Sequence, residues 1–285
     1  MTAFDAAEIT RRLRAAGCVF AEEEARLLSE AATSDEELAA LLARRIAGTP
    51  LEHLLGWVQF RGLRIGVRDG VFVPRQRSAL LVDEALTLAA DHPVRTVVDL
   101  CCGSGALGLA LRTGLGSRPV ELVAADIDPV AVACARANLA AVGGRVHQGD
   151  LFDALPEELR GRIDILLANT PYVPSGLIAR LPPEARDHEP QVALDGGPDG
   201  LTLTRRTAAA AAGWLAPGGS VLIEIGIDQV PAATDLLTAG GLTARIVRSP
   251  DLDATVAVGR RPALLPAGEL VHRVVDADGV QEQIP

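Results

Sequence analysis

From Arg95 onward the sequence alternates between two periodicities, and this alternation limits the possible folds more than any other feature. TVVDLC, ELVAADI, RVHQGD and RIDILLAN are short apolar runs bounded by turn formers, the pattern of buried strands. GALGLALRTG and PVAVACARANLAAVG stand between them with helical spacing. The pattern resumes with a helix (LTLTRRTAAAAAGWL), the strand SVLIEIG, a helix near 228–239 and the strands LTARIVR and ATVAVGR. Strands alternating with helices require right-handed crossovers and a mainly parallel sheet covered on both faces. The final two strands are joined by only a few residues, so they must run antiparallel.

An α/β chain whose seven-stranded parallel sheet is closed by one antiparallel strand has the Rossmann-like architecture of many methyltransferases. Ahead of it, residues up to about 47 read as helices. In EEEARLLSEAA and DEELAALLARRIAG apolar positions recur at three and four, with acids in the first turns. Ser34 and Glu37 have capping-box spacing. The aromatic and glycine-bearing stretch that follows reads as a linker and a β-hairpin, with Arg68-Asp69-Gly70 as its turn. A helix from about Ser78 to Ala90 comes next. The expected organisation is a small N-terminal helical domain (1–48), linker and hairpin (49–75), the α/β domain (76–262) and a C-terminal extension (263–285), either a further hairpin or a loose tail.

Composition removes several function classes. The net charge is −10 and all 27 basic residues are arginine. Without a basic stripe such a chain is poorly suited to gripping phosphate backbones, so direct nucleic-acid binding is not expected. Cys18, Cys101, Cys102 and Cys134 form neither a disulfide framework nor a CxxC pair, and the five histidines are scattered, so no metal is expected. The N-terminus lacks a signal-peptide pattern, and the apolar runs are too short to span a membrane. A reducing, cytoplasmic location is the expectation.

Two segments carry chemistry. VVDLCCGSGALGLAL holds Gly103, Gly105 and Gly108 between a strand and a helix, a formal G-x-G-x-x-G that suits an adenosine cofactor. Asp126, ending the next strand, is placed to bind a ribose hydroxyl. Asp99 discriminates: a carboxylate inside the turn would repel a pyrophosphate and suits the cationic amino-acid end of S-adenosylmethionine. Cys101 and Cys102 read as small residues packing the turn. In the second segment, ILLANTPYVPSG, a strand delivers Asn169 to the sheet edge where α/β folds bind ligands. The Asn169 oxygen and the Thr170 carbonyl can accept both N–H bonds of a planar amide or amine, aiming its nitrogen at a methyl donor. Pro171 holds Thr170 extended, and Tyr172 can stack on the planar group. His188 and Glu189 have an acid–base character, with loop surface the stronger reading for His188. Glu224, on an otherwise apolar strand, is either a buried hydrogen-bonding residue near the cofactor or a structural anchor.

At these residues the chain resembles the HemK-like protein-(glutamine-N5) methyltransferases, over roughly residues 5–262. FVPRQRSALLV is similar to the family's PRPxTE segment, EPQVALDGGPDGL to its EP…ALDGG.DGL loop, and VLIEIGIDQ to its EIG..Q strand end. Three departures stand out: Cys101 replaces the first glycine of the usual loop, Thr170 the first proline of N-P-P-Y, and Ala79 an acid. The resemblance implies methylation of a protein glutamine, that of the Gly-Gly-Gln motif of a peptide-chain release factor or one in another translation protein, with S-adenosylmethionine converted to S-adenosylhomocysteine. It implies that Cys101, Cys102, Gly103, Ser104 and Gly105 line the cofactor, that Asp126 binds the ribose and Leu151 lies near the adenine, and that Asn169, Thr170, Pro171 and Tyr172 receive the glutamine, with Asn169 also meeting the cofactor. The small helical domain would help grip the substrate. Two alternatives remain: an amino-methyltransferase for nucleic acid, and a catalytically silent cofactor-binding protein.

Overall fold

A computed structural model describes residues 5–263 of the chain; the expectation for the C-terminal extension lies outside the described residues. Seven strands form the main sheet: β3 (Thr96–Leu100), β4 (Glu121–Asp126), β5 (Arg145–Gln148), β6 (Ile163–Ala168), β7 (Leu215–Glu224), β8 (Thr243–Ser249) and β9 (Ala254–Arg260). Their order is β5-β4-β3-β6-β7-β9-β8, parallel except for β9, which is antiparallel to both its neighbours. The mainly parallel sheet with one antiparallel strand is therefore as the sequence implies.

Successive residues of a strand point to opposite faces, and here both sets are apolar. Val97, Leu122, Ala124, Ile165 and Leu167 pack with α5 (Ala79–Asp91), α6 (Ala106–Gly114) and α7 (Pro129–Leu139). Val98, Leu100, Val123, Leu166 and Ala168 pack on the other side with α9 (Thr202–Trp214) and α10 (Val230–Ala239). This two-faced burial explains why the strands read as continuous apolar runs rather than alternating ones.

The N-terminal helices α1 (Ala6–Ala15), α2 (Ala21–Ala31) and α3 (Asp35–Ile46) bury a separate cluster that includes Ile9, Leu13, Leu28, Leu38 and Leu42. Arg45 is buried with Glu24, which it meets at 2.6 Å, and also reaches Glu184 at 2.6 Å, tying this cluster to the α/β unit. Ser34 caps α3 by accepting from the Glu37 N–H at 3.2 Å. The Glu37 carboxylate bonds the amide and hydroxyl of Thr33, one residue before the cap, rather than the Ser34 amide a capping box would use.

The hairpin exists, but its turn is elsewhere. Strands β1 (Trp57–Phe60) and β2 (Leu63–Gly66) are joined at Arg61-Gly62, both with positive φ (48° and 77°). Two left-handed residues match the twist of a two-residue hairpin loop. Arg68-Asp69-Gly70 instead makes a later turn, closed by a bond from the Val71 N–H to the Arg68 carbonyl at 3.0 Å. The linker also contains a short helix, α4 (Leu51–Leu55), and the stretch after β6 contains α8 (Pro183–His188). Among the described residues no helix is long and apolar enough to cross a membrane.

Candidate active site

The chain builds β3, β4 and β5 outward in one direction, then returns to place β6 on the other side of β3. Beyond the carboxyl ends of strands at such a switch point an α/β sheet forms its binding crevice. Leu100 pairs with Ala168, so the glycine loop and the Asn169 segment leave the sheet side by side. A cavity of about 700 Å³ opens above them, lined by Cys101, Cys102, Gly103, Ser104, Asp126, Leu151, Asn169, Thr170, Pro171 and Tyr172, with Arg77, Ser78 and Ile127 among the further walls.

On one side the main chain makes the cradle. Cys101 and Gly103 have φ of 53° and 54°, and the Gly103 N–H donates to Asp126 Oδ2 at 2.8 Å. Asp126 Oδ1 accepts from the Asp128 N–H at 3.0 Å. Burial raises the Asp126 pKa above the ordinary carboxylate value, against these backbone donors. An added Cβ at Gly103 would meet open space, and Ser104 Oγ is buried there without a hydrogen-bond partner. A carboxylate, an apolar wall from Leu151 and Ile127, and an unpaired hydroxyl under a bare glycine fit S-adenosylmethionine: ribose, adenine and amino-acid end each have a partner type. Burial pushes the Cys101 and Cys102 thiols well above their usual range, so both remain packing groups. Among the described residues no His, Cys, Asp and Glu cluster could hold a metal ion.

Two expected cofactor residues face elsewhere. Asp99 is fully buried beneath the loop, where Oδ2 accepts from the Gly108 N–H at 2.8 Å. Burial raises its pKa to about 7, with Asp126 adding and the Gly108 amide opposing. Gly108 thereby has a reason to be glycine, since a Cβ would lie 3.0 Å from Asp99 Oδ2. Gly105 (φ 77°) caps α6 and packs toward α7, where a Cβ would stand 3.2 Å from Leu139. Both residues support the loop rather than line the cavity.

On the other side, side chains from distant segments hold the turn. Asn169 Nδ2 donates to Ser78 Oγ at 3.3 Å, which leaves Oδ1 as the accepting atom of the amide. Thr170 is buried, its hydroxyl 3.4 Å from that of Thr204. The Tyr172 hydroxyl donates to Glu224 at 3.1 Å, and its carbonyl accepts from Gln229 Nε2 at 3.1 Å. Gly196 and Gly200 run beneath this turn, where a Cβ would come within 2.6 Å of the Pro171 carbonyl oxygen and 2.3 Å of that of Tyr172, respectively. Glu189 is not free for proton transfer: it accepts from the Val73 N–H at 3.1 Å and from Arg75 at 2.6 Å. His188 ends α8 and is half-buried, outside the cavity lining. Ser78, Thr204 and Gln229 carried no role at the sequence level; Ser78 and Gln229 sit inside the quoted FVPRQRSALLV and VLIEIGIDQ segments, the only signal for them.

Residues 67–178 match the Methyltransferase small domain family. The chain is 38% identical over 257 residues to a release factor glutamine methyltransferase of Moorella thermoacetica, covering 82% of this chain and 88% of that protein. It is 40% identical to the Gloeobacter violaceus protein of the same name, over 71% of each, and 37% identical to that of Geobacter sulfurreducens, over 72% of each. This chain belongs to the release factor glutamine methyltransferase family. Solved structures agree at the level of fold. A T. thermophilus 16S rRNA N2 G1207 methyltransferase in complex with AdoMet and guanosine superposes at a TM-score of 0.51 and 21% identity, over 72% of this chain and 49% of that one. A Pyrococcus furiosus methyltransferase superposes at 0.50 and 14% identity, over 71% and 90%.

Proposed function

We propose that the protein transfers a methyl group from S-adenosylmethionine to the side-chain N5 nitrogen of a glutamine in a peptide-chain release factor. The observation that carries the reading is the register of β3 against β6, which sets a cofactor-type cradle beside an amide-accepting turn in one cavity. S-adenosylmethionine bound in the cradle supplies a methyl on a cationic sulfur and departs as S-adenosylhomocysteine. Asp126 holds the ribose, Leu151 and Ile127 wall the adenine, and Cys101 to Ser104 support the amino-acid end.

An amide nitrogen is a poor nucleophile because its lone pair is delocalised into the carbonyl. Asn169 Oδ1 and the Thr170 carbonyl accept the two N–H bonds of the glutamine, which fixes the nitrogen's direction and offsets the positive charge it gains. Tyr172 stacks on the amide plane. No general base is required before attack, and the extra proton leaves afterwards to water. Thr170 serves as well as proline for this purpose, because the carbonyl does the accepting and the side chain is anchored on Thr204.

The release factor's Gly-Gly-Gln motif is the acceptor we assign, and the helical unit (1–48) contributes to holding that protein, next to the α/β unit (76–262). Neither direct nucleic-acid binding nor a membrane is part of this reading, and the cytoplasm is the compartment in which the substrate is met. Transfer of isotopically labelled methyl to purified release factors and ribosomal proteins, with mass mapping of the product, tests it. A single methyl on the motif glutamine is the expected result. A methyl on adenine, or tight cofactor binding with no protein acceptor, would overturn it.

A further inference from the structure

Tyr172 is gripped at both ends by the segment at and beyond the end of β7. Its hydroxyl donates to Glu224 Oε1 at 3.1 Å, and Arg77 Nε lies 3.5 Å from the same oxygen. Glu224 is the last residue of β7 and only 3% exposed. A carboxylate at such a site is costly unless it is paired and hydrogen-bonded; Oε1 has both of these partners, while Oε2 is buried without a hydrogen-bond partner. At the other end, Gln229 Nε2 donates to the main-chain carbonyls of Tyr172 at 3.1 Å and Asp199 at 3.3 Å. The Gln229 oxygen accepts from the Gly226 N–H at 2.8 Å, which holds the amide in the orientation those two bonds require. Gly200 has φ of 73°, and a Cβ there would lie 2.5 Å from Gln229 Nε2. The loop is bare where the grip is made.

We propose that Glu224 and Gln229 are positioning residues for methyl transfer, Glu224 setting the plane of the Tyr172 ring through its hydroxyl and Gln229 setting the main chain that carries it. This rests on the reading of Asn169 to Tyr172 as the acceptor site. A tyrosine side chain has two main torsions, χ1 and χ2. The bond at the main-chain carbonyl fixes where the side chain starts and the bond at the ring's far tip fixes χ1; because a phenol O–H lies in the plane of its ring, the direction of Glu224 Oε1 also sets χ2, and the face offered to the acceptor amide has one orientation. Arg77 adds to the same anchor, its guanidinium 6.0 Å from the ring centroid. Burial raises the Tyr172 phenol pKa well above its usual range, with Glu224 adding and Arg77 and Arg75 opposing. The hydroxyl therefore keeps the proton it donates.

Tyr172 is the only tyrosine in the chain, so protein grown on ring-labelled tyrosine gives a single Cζ resonance that reports on this hydroxyl. In the full chain, Glu224→Leu is expected to move that resonance and lower kcat at least about tenfold, about 1.4 kcal/mol, with the cofactor Kd within threefold. Glu224→Gln, whose amide oxygen can still accept the phenol hydrogen, is expected to restore most of the rate and the resonance. Gln229→Met should lower kcat severalfold while the cofactor Kd holds. Added to Tyr172→Phe, Glu224→Leu should cost nothing further, because partners in one interaction are not additive. If Glu224→Leu does not fold, Tyr172→Phe alone decides, since an unchanged kcat removes the hydroxyl from any role. An inactive wild-type chain would refute the acceptor reading itself. An active wild type with additive losses or an unmoved resonance would refute the positioning alone.

Discussion

Leu100 and Ala168 are paired neighbours on β3 and β6, yet the two segments that leave them are shaped by different means. After Leu100 the loop is held by its own torsions and short-range bonds: positive φ at Cys101, Gly103 and Gly105, and a bond from the Gly105 N–H to the Cys102 carbonyl at 2.7 Å. Asp126, from the adjoining strand, and Asn138 of α7, whose Nδ2 donates to the Ser104 carbonyl at 2.8 Å, are the side chains that complete it from outside. After Ala168 the turn depends on props far away in sequence: Ser78, Thr204, Glu224 and Gln229. A loop set by torsion is rigid in itself, whereas a turn set by props is only as rigid as the packing around it. The cofactor side should therefore tolerate change in its surroundings better than the acceptor side does.

The sharpest test of this contrast is Asn169→Ala. Turnover should fall by at least about a hundredfold, the scale for removing one preorganised polar group from the reacting atoms, while cofactor affinity stays within about tenfold. Comparable losses in both quantities by calorimetry and kinetics would mean that the two sides are not separable. Gly200→Ala comes next. Its methyl would press on the Tyr172 carbonyl from a left-handed position, costing more than about 1 kcal/mol of stability and roughly tenfold in kcat, again with little effect on cofactor binding. Unaltered kinetics would show that the turn does not depend on the loop beneath it.

Asp99 gives a test on the cofactor side. Its pKa rises from 3.8 to about 7 on folding, so between those values the native state holds a proton that the unfolded chain has released. Asp99 then contributes a fall in stability as pH rises from about 4 to about 7, on the order of 4 kcal/mol. Asp99→Asn should flatten this decline, and denaturant titrations across the window measure it; a slope shared by both proteins would remove Asp99 as its source. The smallest effect is expected from Cys101→Gly. Glycine carries no steric penalty at φ 53° but brings more unfolded-state entropy, for a net gain of up to about 1 kcal/mol in a thermal melt. A clear loss would show that the sulfur's packing outweighs the torsion.

How far each side was legible follows from the same contrast. The glycine loop and Asp126 could be read because glycines and a strand-ending acid are local signals. Asn169 and Tyr172 could be read because a strand ended there on polar groups. The failures were of another kind. Asp-Gly is the stronger turn signal, so the sequence points to Arg68-Asp69-Gly70 for the hairpin turn, while Arg61 adopts a left-handed conformation that its side chain does not advertise. Helix α4 is indistinguishable from linker in the sequence because five residues are too few to show a period.

Asp99 and Glu224 mark the boundary between what the sequence determines alone and what needs the whole fold. The order of strands and helices, the antiparallel final pair, the two-faced core and the residues at the two strand ends all follow from periodicity and turn chemistry, which act over a few neighbouring residues. Which way Asp99 points does not. Side chains on a strand alternate, so Asp99 shares the face of Val97 and meets Gly108 of α6, a partner supplied by helix packing. Glu224 finds the Tyr172 hydroxyl for the same kind of reason: β6 and β7 are adjacent, with Ala168 paired to Ile223 at their carboxyl ends. Such contacts are set by strand order and register across the sheet, and no stretch of neighbouring residues carries that information.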